Sequence, residues 1–220
     1  MKKVLISGGS SGLGLELAKL YGKNGFQVLL VGRSVEKLQA AVNVLNLLEV
    51  SAVRVYSCDI GNQDQIKSLY EQVKQDHGKI DRLINCAGIG HFGPLSELSF
   101  DQIKQMNQVN FLGTVFMTKV FEEIVKERVV NIISTAGLKG KKNESVYCAT
   151  KYAVRGFTES LHLEWADKDL NATAVYMGGM LTAFWDTNDH IKDKSRLRDP
   201  EMVARKIFEQ EDGRPSIIIE

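Results

Sequence analysis

Short apolar runs alternate with amphipathic stretches of helical length along the whole chain, and this alternation most narrows what the chain can fold into. The runs fall at residues 4–6, 28–31, 53–56, 83–84, 129–133, 172–175 and 217–219. They are apolar at successive positions rather than at every second one, which suits strands buried on both faces. Between them lie stretches of helical period at 13–23, 36–48, 63–77, 100–126, 146–168 and 200–210. Strand and helix in strict alternation predict an α/β fold: a doubly wound parallel sheet of about seven strands, with helices on both faces and right-handed crossovers. Ligands of such sheets bind beyond the carboxyl ends of the strands.

The chain has 220 residues, and a chain of this size can bury a full core without a disulfide or metal staple. Its three prolines, Pro94, Pro200 and Pro215, mark no linker, and no repeat is visible, so one domain over 1–220 is expected. With 28 Lys and Arg against 27 Asp and Glu, the net charge of +1 gives no general field for nucleic acid or a membrane surface. Any attraction for a phosphate must be local. The cysteines Cys58, Cys86 and Cys148 are odd in number and widely spaced, which argues against a disulfide framework and against a zinc site. Neither these nor His77, His91, His162 and His190 show metal-ligand spacing, so no metal is expected. The first residues contain only Val4, Leu5 and Ile6 before glycine intervenes, too short an apolar stretch for a secretory signal, and a cytoplasmic location is expected.

Directly after the first strand comes Ser7-Gly8-Gly9-Ser10-Ser11-Gly12-Leu13-Gly14, opening into a helix. Glycine lets the backbone turn sharply and approach a pyrophosphate, and the helix N-terminus adds unpaired amides and the positive end of the dipole. A glycine turn alone also serves tight strand-to-helix connections that hold no ligand. At the end of the second strand the chain reads Val31-Gly32-Arg33-Ser34. An acidic residue there would bond a free ribose 2′-hydroxyl, whereas an arginine suits a 2′-phosphate. NADP(H) is therefore preferred, with NAD(H) as the alternative and Glu36 as an alternative ribose partner.

Tyr147 and Lys151 stand four residues apart on one face of a predicted helix, and Ser134 lies at the carboxyl end of the fifth strand. A free tyrosine has a pKa near ~10, and an adjacent ammonium favours its ionised form. A Tyr-x-x-x-Lys pair carries weight only through its context.

That context resembles the short-chain dehydrogenase/reductase family, whose fold is of Rossmann type, and the resemblance runs from Val4 to at least Thr182. Gly8-x3-Gly12-x-Gly14 is similar to the family's cofactor fingerprint, with Ser10, Ser11 and Leu13 inside it. Asp59, in Cys58-Asp59-Ile60, matches the acid that contacts the adenine ring. Asn85-Cys86-Ala87-Gly88 resembles the family's Asn-Asn-Ala-Gly motif, which stabilises the sheet and lines the cofactor floor. Asn110 matches the asparagine that perturbs its helix and holds a water in a proton relay. Ser134, Tyr147 and Lys151 complete the catalytic tetrad, including the thirteen-residue step from serine to tyrosine. The resemblance implies hydride transfer between a nicotinamide and a small carbonyl or alcohol. Ser134 would polarise the carbonyl, Tyr147 would donate the proton, and Lys151 would lower the tyrosine pKa and bond the nicotinamide ribose.

After the sixth strand the family has a Pro-Gly turn and then threonine, but this chain reads Tyr176-Met177-Gly178-Gly179-Met180-Leu181-Thr182. Gly178 and Thr182 are expected at the nicotinamide end without the restraint of a proline. Residues 183–199 are expected as a short substrate lid carrying Phe184 and Trp185. Lys139, Lys141 and Lys142 form a basic turn near the mouth, which keeps a 3-oxoacyl-carrier-protein reductase as an alternative. A non-catalytic NADP(H)-sensing module is the alternative from another class. Ala149, Ala153, Gly156 and Ser160 form a stripe of small residues on the 146–168 helix. With the family resemblance, the stripe implies a homodimer; the chain stops just after 217–219, so a further interface built on the last strand is not expected.

Overall fold

The computed structural model describes residues 1–186 and 190–219. Seven parallel strands form one sheet: β1 (Lys3–Ser7), β2 (Gln27–Gly32), β3 (Val53–Ser57), β4 (Ile80–Asn85), β5 (Val125–Ile132), β6 (Asn171–Met177) and β7 (Ser216–Ile219). Their order across the sheet is 3-2-1-4-5-6-7. The order reverses between β1 and β4, which puts a crevice beyond the carboxyl ends of those two strands.

Strand residues alternate between two cores. Val4, Ile6, Val28, Leu30, Val130 and Ile132 face one layer with Leu17, Leu38 and Ile207, which come from α1 (Gly12–Lys23), α2 (Val35–Leu47) and α7 (Pro200–Gln210). Leu5, Leu29, Val31 and Val129 face the other with Ile66, Phe121 and Leu161, from α3 (Gln63–His77), α5 (Thr114–Phe121) and α6 (Ser145–Glu164). Each fully buried Leu, Ile or Val side chain contributes about 1.5–3 kcal/mol relative to exposure. The sandwich of two apolar layers is therefore the main source of stability.

The expected helix over 100–126 is three segments and stops early. It runs as α4 (Phe100–Met106), a π-helical stretch Asn107–Gly113, and α5. Ile124 and Val125 continue the helical period, but Val125 pairs with Ile80 and starts β5 instead. Pairing with β4 outcompetes one further turn. The helix expected to reach Lys168 ends at Glu164, where Trp165 is buried and its indole donates to Glu122 Oε1 at 3.0 Å. No helix among the described residues is long and apolar enough to cross a membrane.

Candidate active site

The glycine turn joins β1 to α1 across the crevice. Gly8 has φ +70°, and a Cβ there would lie 2.8 Å from the Ala87 Cα; one on Gly14 would lie 2.3 Å from the Gly8 carbonyl oxygen. Both positions therefore require glycine. Ser11 precedes α1 without giving its side chain to the helix, so the first-turn amides remain available to an anion. Ser7, which was not singled out in the sequence, ties β1 to the next loop: its Oγ accepts from the amides of Cys86 at 3.1 Å and Ala87 at 3.3 Å.

One cavity runs from this turn to Ser134, Tyr147 and Lys151. Gly8, Ser10, Ser11, Gly12, Leu13, Gly14, Arg33, Asp59, Ile60, Ala87, Gly88, Ser134, Tyr147, Lys151, Gly178 and Thr182 all line it. Lys37, one turn into α2 from Arg33, lines it too and was missed, although the Arg33–Lys37 spacing is a readable basic pair. Glu36 does not line it: its carboxylate accepts from Ser34 Oγ at 2.7 Å, which holds it below the usual carboxylate range. Asp59 Oδ1 accepts from the Gly61 amide at 2.9 Å.

Two expected site residues do not line the cavity. Asn85 is buried in a polar ladder inside the sheet, donating to Thr118 Oγ1 at 3.1 Å and to Asn131 Oδ1 at 2.8 Å. Asn131 in turn donates to Thr158 Oγ1 at 2.9 Å, so the ladder links β4 and β5 to α5 and α6. Asn110 lies in the π-helical stretch and clamps the loop after β4. Its Oδ1 accepts from the Ile89 amide at 2.8 Å, and its Nδ2 donates to the Ile89 carbonyl at 2.9 Å and to Thr150 Oγ1 at 3.2 Å. Its side-chain amide is thereby used on the Ile89 backbone and on Thr150.

Ser134 sits one residue past the β5 ladder's continuation, with φ 126° and ψ 157°. This region is essentially confined to glycine and costs on the order of 1–3 kcal/mol. The strain is held by its own hydrogen bonds: Ser134 Oγ accepts from the Ala136 amide at 3.2 Å, and its carbonyl from the Gly137 amide at 2.9 Å. The Ser134 side chain also hydrogen-bonds the Tyr147 phenol.

Tyr147 and Lys151 project from α6 and are both buried. Burial pushes the Tyr147 phenol well above its ordinary range; the Glu144 carboxylate pushes the same way, against the Ser134 hydrogen bond. Burial lowers Lys151 to about 8, with Cys86 acting in the opposite sense. Burial is thus the largest influence on the phenol. Burial likewise pushes the Cys86 thiol up to about 12 and that of Cys58 to about 11, with Asp59 adding to the latter, so neither is a thiolate nucleophile at neutral pH. Among the described residues no group of three or more His, Cys, Asp or Glu converges on a metal position.

The sequence profile described as short chain dehydrogenase matches residues 2–192. The chain belongs to the short-chain dehydrogenase family. As a member it is an oxidoreductase, and NAD(P)(H) is the cofactor typical of the family. Carbonyl reductase family member 4 of Xenopus laevis is similar at 31% identity, across 94% of this chain and 90% of that protein. A variant actinorhodin polyketide ketoreductase, solved with NADPH, superposes with a TM-score of 0.90 at 25% identity, covering 99% of this chain and 95% of the other. A short-chain dehydrogenase/reductase from Burkholderia phymatum, solved in complex with NAD, shares the fold with a TM-score of 0.89 at 23% identity, over 99% and 88% of the two chains.

Where this short-chain dehydrogenase lacks the family's proline, a distant arginine braces the turn. A Cβ on Gly178 would lie 2.6 Å from Arg198 Nη1, which donates to the Ile219 carbonyl at 3.0 Å. The backbone of Arg198 also bonds Gly179 O at 3.0 Å and Leu181 N at 2.8 Å. Thr182 is thereby held against the glycine turn, its Cγ2 3.2 Å from where a Cβ on Gly12 would lie. Beyond it, Phe184 and Trp185 pack with Phe92 over Tyr147. Residues 183–185 of the segment expected as a lid line the cavity on this side, and its residues 187–189 lie outside the described residues.

Proposed function

We propose that this chain reduces a small carbonyl compound, or oxidises the corresponding alcohol, with NADP(H) as its hydride partner. The observation that carries the reading is the single cavity that has the glycine turn, Arg33 and Lys37 at one end and Ser134, Tyr147 and Lys151 at the other. Its length and chemistry suit a dinucleotide: two glycines where a Cβ would close the turn, a helix N-terminus for the pyrophosphate, and two cations where a 2′-phosphate would lie. No carboxylate from the turn between β2 and α2 lines the cavity, which favours NADP(H) over NAD(H). Similar proteins, a carbonyl reductase and a ketoreductase solved with NADPH, point the same way.

In this reading Gly8, Ser10, Ser11, Gly12, Leu13 and Gly14 hold the pyrophosphate, Arg33 and Lys37 the 2′-phosphate, and Asp59 and Ile60 the adenine. Ala87 and Gly88 form the floor, Lys151 bonds the nicotinamide ribose, and Gly178 and Thr182 hold the carboxamide. Bound NADPH supplies the hydride to the carbonyl carbon. Ser134 donates a hydrogen bond to the carbonyl oxygen as negative charge grows there. Tyr147, kept protonated by burial, gives that oxygen its proton. Asn110 and Asn85 act from behind, the first by fixing the loop at Ile89 and the second by locking the strands that carry the site.

We further propose a homodimer built on α6. Ala149, Gly156 and Ser160 are exposed and Ala153 is half-exposed, so the stripe faces away from the chain's own sheet. A Cβ on Gly156 would meet nothing within 4 Å. Tyr152 and Leu163, on the same helical face, are 42% and 75% exposed, an apolar cost that a second copy would remove.

Loss of NADPH absorbance with a panel of aldehydes, ketones and acyl-thioester analogues tests the activity. Turnover of at least one carbonyl is expected. Saturable NADPH binding with no turnover across the panel would favour a cofactor-sensing module instead.

A further inference from the structure

At the Ser134 end the cavity is lined by the rings of Tyr147, Phe184 and Trp185 and by one buried carboxylate, with Phe92 and His190 packed behind them. Phe92 lies parallel to His190 (4.6 Å between centroids, 16°) and to Trp185 (5.2 Å, 22°), and edge-on to Tyr147 (5.3 Å, 68°). Glu144 immediately precedes α6, three residues before Tyr147, and lines the same cavity. It is only 8% exposed, and its side chain does not cap the helix that it opens. One oxygen accepts from His190 Nε2 at 3.0 Å; the other lies 4.0 Å from Lys141 Nζ, which also donates to Thr135 Oγ1 at 3.2 Å.

A carboxylate removed from water needs a positive or N–H-bearing partner, and aromatic faces attract the same kind of group. His190 is such a partner: a flat ring stacked on Phe92 that gives an N–H to the carboxylate. It comes from elsewhere in the chain, 46 residues beyond Glu144, so the helix that Glu144 opens does not itself satisfy the carboxylate. Lys141 is farther away and partly in solvent, and it does not fill this place.

We propose that Glu144 determines substrate specificity by receiving a protonated amine on the carbonyl substrate in the place His190 occupies. Because Glu144 and Tyr147 are one helical turn apart, the amine belongs within a few bonds of the carbonyl. The preferred substrates are then amino ketones of largely apolar body, and keto acids are disfavoured by the same carboxylate. The inference rests on the carbonyl-reductase reading and narrows it.

The test uses the full chain with NADPH at neutral pH and three phenyl ketones of matched size: aminomethyl phenyl ketone, ethyl phenyl ketone and benzoylacetate. A charge-assisted hydrogen bond is worth about 1.5–3 kcal/mol, so kcat/KM for the amino ketone should exceed that for the ethyl ketone by about tenfold or more. Benzoylacetate should be the poorest of the three. In Glu144→Gln the ratio of amino to ethyl ketone should collapse toward unity, whereas in His190→Ala it should persist. A wild-type ratio near unity, or a ratio that survives in Glu144→Gln, would overturn the proposal. Calorimetric titration of the NADPH complex with phenethylamine separates this inference from the parent reading, because that ligand has no carbonyl. Binding that weakens about tenfold in Glu144→Gln supports the amine site even if no ketone is reduced, and absence of binding to the wild type overturns it.

Discussion

The Lys151 ammonium lies 5.7 Å from the centre of the Tyr147 ring and donates to the Ile132 carbonyl at 3.2 Å. The lysine is thus anchored to the end of β5, beside the phenol but not hydrogen-bonded to it. This separates two tasks that one substitution each can resolve.

Tyr147→Phe should lower turnover by about 10²- to 10⁴-fold while NADPH affinity, measured by titration, stays within a few-fold, because the phenol's proton is what the variant lacks. Lys151→Ala should lower both turnover and NADPH affinity. Retained turnover in the first variant, or unchanged affinity in the second, would contradict the assigned roles.

Lys151 has a folded pKa of about 8 against an ordinary 10.5. Its charged form is disfavoured by folding, so the destabilisation is complete below the folded value and is relieved as pH rises from there toward the unfolded one, where only the unfolded chain still holds the proton. The stability advantage of Lys151→Met over the wild type, from chemical denaturation, should therefore shrink between about pH 7 and about pH 10. A difference that is constant over that range would mean the ammonium is not desolvated.

Arg33→Ala should cost about 1.5–3 kcal/mol of NADPH binding, the worth of a charged hydrogen bond, and leave NADH binding nearly unchanged. Lys37→Ala should act in the same direction. Equal affinity of the wild type for NADH and NADPH would place both cations in solvent.

Light scattering at micromolar concentration should report a dimer that collapses to monomer in Ala153→Arg, with circular dichroism unchanged. A monomeric wild type would leave the exposed small stripe of α6 without a partner.

The strands were legible because residues such as Leu29 and Leu30 are buried on opposite faces of the sheet, so their runs are apolar throughout. The cavity-lining residues were legible where local backbone demands a residue type, as at Gly8 and Gly14. What could not be read depends on contacts distant in sequence. Val125 left the helical pattern because β4 was there to pair with it. Arg198 braces Gly178 from another element, and no spacing announces it. Asn85 matched a motif expected to stabilise the sheet, but its partners Asn131 and Thr118 come from elements far along the chain. Glu144 reads as an ordinary acid ahead of a helix, since burial of one carboxylate leaves no periodic trace.

The bracing of Gly178 by Arg198, and of Arg198 by the Ile219 carbonyl, also bears on how the chain is made. In synthesis the glycine turn precedes β7, with most of the sheet between them. Thr182 is set against Gly12 only once Arg198 has β7 to hold, so an earlier and a later segment meet at one place. A nascent chain still lacking residues 216–219 would have its glycine turn but no fixed support for Gly178. With NADP(H) held as proposed, full cofactor affinity arrives late, and from that moment the cofactor stabilises the finished fold with the logarithm of its concentration.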